Sequence, residues 1–229
     1  MRVVAVIPAY NEEASIARVV SATLPYVEQV VVVDDGSRDR TAAQAEEAGA
    51  HVIRQPRNGG KGAALEAGAD YAIATGFDAV VALDADGQHD PKSIPALVTP
   101  LADGTADMSV GSRKRAWSTY MPLVRRLTNA SMSWLLSKVA GQPMEDTQSG
   151  FRCISVAVLR NVRVQTRHFE AESEFLLQAA RAGWRIAWVP IVAIYGADVR
   201  PSHIHPLRDA YRFLKMLLRV LRMGTSPTR

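Results

Sequence analysis

The sequence predicts an α/β fold with a mostly parallel central sheet, helices on its flanks and an amphipathic helix near the C-terminus. Two observations carry the sheet. Short β-branched apolar runs alternate with helical stretches of about 10 to 15 residues, the rhythm of right-handed β-α-β crossovers. Each of the first four runs also breaks into a polar, turn-forming loop. Composition is the third observation: 229 residues, 48% apolar and 22% charged, suit one large packed domain and argue against disorder.

In chain order, Arg2 to Ile7 is a β-branched strand. Pro8-Ala9-Tyr10-Asn11-Glu12-Glu13 breaks it, and Asn11 is placed to cap a helix running to about Leu24. Val30 to Val33 is the second strand, ending in Asp34-Asp35-Gly36-Ser37; Arg38 to Ala48 is helical and Gly49 stops it. His51 to Arg54 is the third strand, Asn58-Gly59-Gly60-Lys61-Gly62 a turn, and Ala63 to Thr75 a helix closed by Gly76. Ala79 to Leu83 is the fourth strand, delivering Asp84 and Asp86 at its tip, with Asp90 capping a helix that starts at Pro91. Further on, Asp107 to Val110 and Arg152 to Ile154 read as strands. Pro122 to Val139 is a largely apolar helix, and Glu170, Glu172 and Glu174 open another, where acids favour the positive dipole end.

In a doubly wound sheet the parallel strands end on one edge, where ligands bind. The loops 8–12, 34–37, 58–62 and 84–88 therefore converge. Each is ordinary turn chemistry by itself; together they outline a site. Backbone amides of the glycine-rich third loop, beside Lys61 and a helix start, suit an anion such as phosphate. Asp84 and Asp86 can reach a single hard cation, magnesium or manganese, that shares its shell with water and substrate phosphates. No GxGxxG follows the first strand and no GxxxxGK[ST] occurs, which disfavours a dinucleotide oxidoreductase or a P-loop nucleotidase. The net charge of +4 favours an anionic partner. Cys153 has no second cysteine to pair with, the N-terminal apolar run is too short for a signal peptide, and no apolar stretch reaches the length of a spanning helix. A reducing cytoplasm is the expected compartment.

The stretches VIPAYNEEASI, VVVDDGSRDRT, NGGKGAAL and LDADGQHDP, in this order and spacing, resemble the nucleotide-sugar half of family 2 glycosyltransferases of the GT-A fold. The branch that transfers sugars to dolichol or polyprenol phosphate is the most similar. VGSRKR from Val110, DTQSGFR from Asp146 and AESEFLLQAARAGWRIAWVPI resemble that branch's acceptor side. The likeness covers residues 1–196, a donor half at 1–115 and an acceptor half at 116–196, with a loop, a basic helix and a short tail at 197–229. Near the end the chain has YGADVRPSHIHPLRD where the family shows an R..G.SK pattern.

The resemblance implies that Pro8, Tyr10, Glu12 and Asp35 hold the base and ribose, and that Lys61, Gly62 and the Asp84-Ala85-Asp86 turn complete the nucleotide-sugar site. Asp34 orients its turn in the alternative reading. Asp84, Asp86 and Gln88 would be the metal ligands, with His89 behind them or facing solvent. Arg113 and Arg125, or its neighbour Arg126, resemble arginines that meet phosphate, with Arg152 a third candidate; their alternative is a solvated basic face. Asp146 matches a position that acts as base or orients the acceptor, its alternative being a turn cap. Of the three glutamates, Glu172 is the one expected to reach the site.

From Pro206 to Met223, Arg208, Arg212, Lys215, Arg219 and Arg222 share one helical face. Leu207, Tyr211, Leu214, Leu218 and Leu221 share another, broadened by Phe213, Leu217 and Val220. Such a helix suits an anionic membrane interface, or docking on its own domain with a wet basic side. The resulting expectation is a metal-dependent, inverting transfer of sugar from a GDP- or UDP-sugar to polyprenyl phosphate. It would occur at the inner membrane face, with an integral membrane partner conceivable and nucleic acid not expected. A sugar hydroxyl as acceptor and a non-catalytic nucleotide-binding role stand as alternatives. A nucleotidyltransferase is disfavoured, because its glycine-rich, arginine-bearing first loop is missing after Ile7.

Overall fold

The computed structural model describes residues 1–113, 123–168, 170–192, 194 and 206–222, with backbone alone at 123–128, 206–211 and 222. Arg115, Arg126 and the segment 195–205 therefore lie, wholly or in their side chains, outside the described residues, as do the side chains of Arg125, Arg208 and Arg222.

Seven strands form one sheet in the order β3-β2-β1-β4-β6-β5-β7. They are β1 Val3–Ala9, β2 Gln29–Asp34, β3 His51–Arg54, β4 Ala79–Ala82, β5 Met108–Ser112, β6 Arg152–Ser155 and β7 Ile186–Pro190. The neighbours β3-β2-β1-β4 and β5-β7 are parallel, but β6 runs antiparallel to both β4 and β5. β6 thus stands inside the sheet, between β4 and β5, and no local pattern in Arg152 to Ser155 announces its direction. β7, in the apolar run after Gly183, adds a strand to those expected from the sequence.

The helices are α1 Ile16–Thr23, α2 Thr41–Glu47, α3 Lys61–Ala74, α4 Ile94–Ala102, α5 Leu123–Ala140, α6 Val156–Asn161, α7 Glu170–Arg181 and α8 Pro206–Arg222. Alternation along β1 sorts them. Val3, Ala5 and Ile7 pack with Ile16, Val19, Ala45, Ile94 and Leu97 of α1, α2 and α4. Val4 and Val6 pack with Ala64, Leu136, Leu176 and Met216 of α3, α5, α7 and α8. Successive strand side chains point to opposite faces, so one apolar strand feeds two cores.

Gly68, inside α3, shows how closely helix and sheet approach: an added Cβ would collide with the Val6 side chain. Glycine inside a helix costs about 1 kcal/mol relative to alanine, and here it allows that approach. Gly68→Val is expected to destabilise the fold by about 1–3 kcal/mol, read as a lower denaturant midpoint at unchanged slope.

Two local expectations are corrected. Asn11 does not cap α1, whose N-cap is Ser15, with no side-chain bond to the helix amides. It adopts φ 54°, its Oδ1 accepts from the Arg38 amide at 2.9 Å and its own amide donates to Ser37 Oγ at 2.9 Å. Its role is to join the first loop to the second. The helix after Ser37 begins at Thr41 rather than Arg38, because Asp39 Oδ1 accepts from the Thr41 amide and hydroxyl and holds 38–40 as a turn. Asp90 does accept from the Lys92 amide, at a 3-10 turn starting at Pro91.

α8 lies on its own domain through Met216, Leu217 and Val220, which are buried against α7. Leu214, Leu218 and Leu221 point outward at 52%, 48% and 48% exposure. Of its two leucine-bearing faces, the helix therefore docks with the one that broadens the stripe. Among the described residues no helix is long and apolar enough to cross a membrane.

Candidate active site

The carboxyl ends of β1, β2 and β3 frame a cleft of about 620 Å³, lined among others by Tyr10, Asp34, Ser37, Arg38, Arg57 and Asn58. Tyr10 stands exposed at its lip, and Pro8 lies in the last turnout of β1, paired with Val33. The Glu12 amide donates to Thr41 Oγ1 at 2.7 Å and its carboxylate accepts from Ser15 Oγ at 3.0 Å. Asp34 accepts from the Ser37 amide at 2.9 Å, the turn-orienting role.

Asp35 is buried, and its two oxygens accept from the Gly59 and Gly60 amides at 2.8 Å each. The Gly62 amide donates to the Arg167 carbonyl at 2.8 Å. This corrects the expectation that these amides await a phosphate. The Gly59 and Gly60 amides hold the chain's own Asp35, because the sheet brings the second loop directly against the third, and the Gly62 amide is taken by the Arg167 carbonyl. Gly60, with φ 93°, and Gly62 allow the segment 167–168 to lie against the turn, where a Cβ on either would meet Arg167 or His168.

At the tip of β4, Lys61 Nζ stands 2.5 Å from Asp84 Oδ1 and 3.2 Å from Glu172 Oε2. Burial alone would lower the Lys61 pKa; the Asp84 and Glu172 carboxylates outweigh it and raise it. The same ammonium, with His89 and Arg113, holds Asp84 below the ordinary carboxylate range against the opposing effect of burial. Among the described residues Asp86 accepts the Gln88 amide, at 2.9 Å, and no other hydrogen bond; burial, then the charge of Asp84, pushes its carboxyl up to about 6. Ala85 packs its methyl into the core with Leu83 and Ile94, leaving its backbone to shape the turn.

His89 is buried rather than solvent-facing. It stacks on Phe151 at 5.0 Å and its Nδ1 accepts from the Asp84 amide at 3.1 Å; burial lowers its pKa, with the Asp84 carboxylate opposing. The tip is thereby braced from below. Two carboxylates, one of them poor in donors, suit a hard divalent cation. Among the described residues no group of three or more acidic, histidine or cysteine side chains is arranged to hold a metal by itself; a hard cation at this turn would take its remaining ligands from other oxygens, such as the Gln88 side-chain amide, a bound phosphate or water.

Arg113, at the end of β5, and Asp146 form a buried bidentate pair, Nε to Oδ2 at 2.8 Å and Nη2 to Oδ1 at 2.9 Å, with the Arg113 amide adding 3.1 Å. Asp146 is fully buried and orients this arginine. Arg152 is not a phosphate arginine: its guanidinium donates to the carbonyls of Ser149, Glu172 and Thr147. Glu174, also fully buried, accepts from the Gln165 and Thr166 amides, Thr166 Oγ1 and Gln178. That anchors the segment reaching Arg167. Of the three glutamates, Glu172 is the one that stands beside Lys61 at the acidic tip, at 3.2 Å.

Gly150 escaped the sequence reading: a Cβ there would stand 3.0 Å from Lys61 Nζ and Glu172 Oε1 and 3.1 Å from Asp84 Oδ2. Its only signal was the glycine inside DTQSGFR. Beside the tip, the Ile194 amide donates to the Gln88 carbonyl at 2.9 Å, which places exposed Val192 and Ile194 next to the acidic turn.

Comparison with known proteins agrees with this layout. The sequence profile of the family described as Glycosyl transferase family 2 matches residues 4–163. The UDP-N-acetylglucosamine--dolichyl-phosphate N-acetylglucosaminyltransferase of Methanococcus voltae is 32% identical over 212 residues, covering 83% of this chain and 84% of that protein. The undecaprenyl-phosphate mannosyltransferase of Micrococcus luteus is 30% identical over 206 residues, covering 85% of this chain and 84% of that protein. Among solved structures, glucosyl-3-phosphoglycerate synthase from Mycobacterium tuberculosis in complex with Mg2+ and uridine-diphosphate superposes with a TM-score of 0.75 at 26% identity, covering 98% of this chain and 81% of that one. With the profile matching residues 4–163 and relatives at 30% identity or more covering most of both chains, the chain belongs to glycosyl transferase family 2 and is a glycosyltransferase of the GT-A fold.

Proposed function

We propose that the protein transfers a sugar from a nucleoside diphosphate sugar to polyprenyl phosphate, with Mg2+ or Mn2+ held by Asp84 and Asp86. Solved relatives with UDP and Mn2+ or Mg2+ support the donor and the cation, and relatives named for dolichyl- and undecaprenyl-phosphate support the acceptor. The observation that carries the acceptor is the buried Arg113–Asp146 pair. A sugar hydroxyl needs a general base at the reacting oxygen, whereas a phosphate monoester is already anionic near neutral pH and needs cationic positioning. Asp146 gives both oxygens to Arg113, an arrangement that serves the second case.

In this reading Tyr10, Arg38 and Arg57 face the nucleoside, and Arg113 helps place the acceptor phosphate. The divalent ion supplies charge neutralisation for the departing diphosphate. Attack from the face opposite that leaving group inverts the anomeric centre. Exposed Val192 and Ile194 beside the tip suit an apolar acceptor chain.

The outward stripe Leu214, Leu218 and Leu221, with exposed Lys215 on the same helix, suits an anionic lipid surface at the inner membrane face. Replacing the three leucines by serine is expected to lower co-flotation with vesicles containing anionic lipid at least several-fold, with α8 still docked through Met216, Leu217 and Val220. Unchanged flotation would remove the stripe from the membrane reading. The reaction is tested by supplying labelled GDP- and UDP-sugars, polyprenyl phosphate and Mg2+ or Mn2+, and looking for labelled lipid. Its formation with one donor identifies that donor; its absence with every donor, while nucleotide still binds, overturns the proposed acceptor.

A further inference from the structure

The Lys61 ammonium sits where a metal ligand should be available. Its Nζ is 2.5 Å from Asp84 Oδ1, and its second carboxylate, Glu172, lies 3.2 Å away. Asp84 and Glu172 both hold this one ammonium, and Asp86 stands two residues along the same turn as Asp84. Above the group Gly150 keeps room that any Cβ would take, within 3.1 Å of Lys61, Asp84 and Glu172. Below it, the Arg152 guanidinium donates to the Glu172 carbonyl at 2.7 Å and to the carbonyls of Ser149 and Thr147, so Glu172 and the Gly150 turn are pinned by one buried cation. One partner of the ammonium thus lies on the metal-binding turn and the other on a fixed frame.

We propose that Lys61 is a resident cation at the acidic tip, and that Glu172 is the positioning residue that keeps its ammonium when a divalent ion and a diphosphate claim Asp84. The inference rests on the reading of Asp84 and Asp86 as metal ligands and adds to it an order of events. A divalent ion alone competes with Lys61 for Asp84 and binds weakly. A nucleoside diphosphate offers the ammonium new oxygens, Asp84 is released, and ion and nucleotide bind cooperatively, each improving the other by the same factor. The flexible four-carbon stem of lysine allows this short transfer between anions.

The test is Mn2+ binding to the full chain by electron paramagnetic resonance, with and without UDP or GDP, so that no turnover is read. Lys61→Met is expected to bind Mn2+ alone about tenfold more tightly than the unaltered protein, the scale of one charge-assisted contact, and to lose most of the nucleotide-dependent gain. Glu172→Gln should act in the opposite direction, because Lys61 then has only Asp84 to hold. The double variant should follow Lys61→Met, an ordering that a merely structural role for Glu172 would not produce. Asp84→Asn separates the two levels. If it leaves Mn2+ binding intact, the metal-site reading falls and this inference with it. If it abolishes binding while Lys61→Met binds no better and Glu172→Gln no worse than the unaltered protein, the resident-cation inference alone is overturned.

Discussion

Asp86→Ala is expected to reduce sugar transfer by roughly a thousandfold or more while nucleotide binding without metal persists. The divalent ion is worth several kcal/mol of charge stabilisation on the departing diphosphate, and about 1.4 kcal/mol is a tenfold change in rate. Among the described residues Asp86 forms no ion pair, and it accepts the Gln88 amide. Its raised value, about 6, gives the same residue a pH signature. The folded protein holds this proton more tightly than the unfolded chain, so the contribution of Asp86 to stability is greatest below the ordinary carboxylate range and is lost as pH rises through about 6. At neutral pH the ionised form therefore costs on the order of 3 kcal/mol, and a bound cation offsets that cost. Mg2+ or Mn2+ should raise the melting temperature clearly at pH 7.5 and much less at pH 5. In Asp86→Ala the pH-dependent part of that gain should vanish; a gain equal to the unaltered protein's at both pH values would remove Asp86 from the metal site.

Asp146→Asn is the second large expectation, and its effect divides between stability and chemistry. The pair it breaks is buried and bidentate, with Arg113 Nε and Nη2 at 2.8 and 2.9 Å. Removing one partner of a buried pair typically costs about 3–5 kcal/mol, because the remaining charge has lost its counter-ion. Chemical denaturation of Asp146→Asn should show a loss of that order, and transfer should fall because Arg113 is no longer aimed. Replacing both residues, Arg113→Met with Asp146→Leu, should recover much of the stability, since two apolar groups leave no uncompensated charge. It should not recover transfer. Recovery of activity in the double variant would show that the pair serves the fold alone.

Strand and helix rhythm, turn residues and the spacing of Asp84, Asp86 and Asp90 follow from local physics, and they were legible without a structure. The first four strands, the stop at Gly49, the cap at Asp90 and the convergence of four loops all stand where period and turn chemistry place them. Glu172 could be singled out from the sequence, but its pairing with Lys61 could not. What stayed hidden depends on which segments meet. Four residues from Arg152 to Ser155 carry no signal for their direction, and only the sheet makes β6 antiparallel. The glycine-rich loop looks alike whether its amides hold a substrate phosphate or a neighbouring carboxylate, and the packing of β2 beside β3 assigned them to Asp35. Arg113 and Arg152 are equivalent as residue types, yet one meets a buried carboxylate and the other three backbone carbonyls. Charge and turn propensity are properties of a residue and its near neighbours, so they are written along the chain. The partner that neutralises a charge is supplied by a segment tens of residues away, and that was decided only when the sheet brought Lys61, Asp84, Gly150 and Glu172 to one edge.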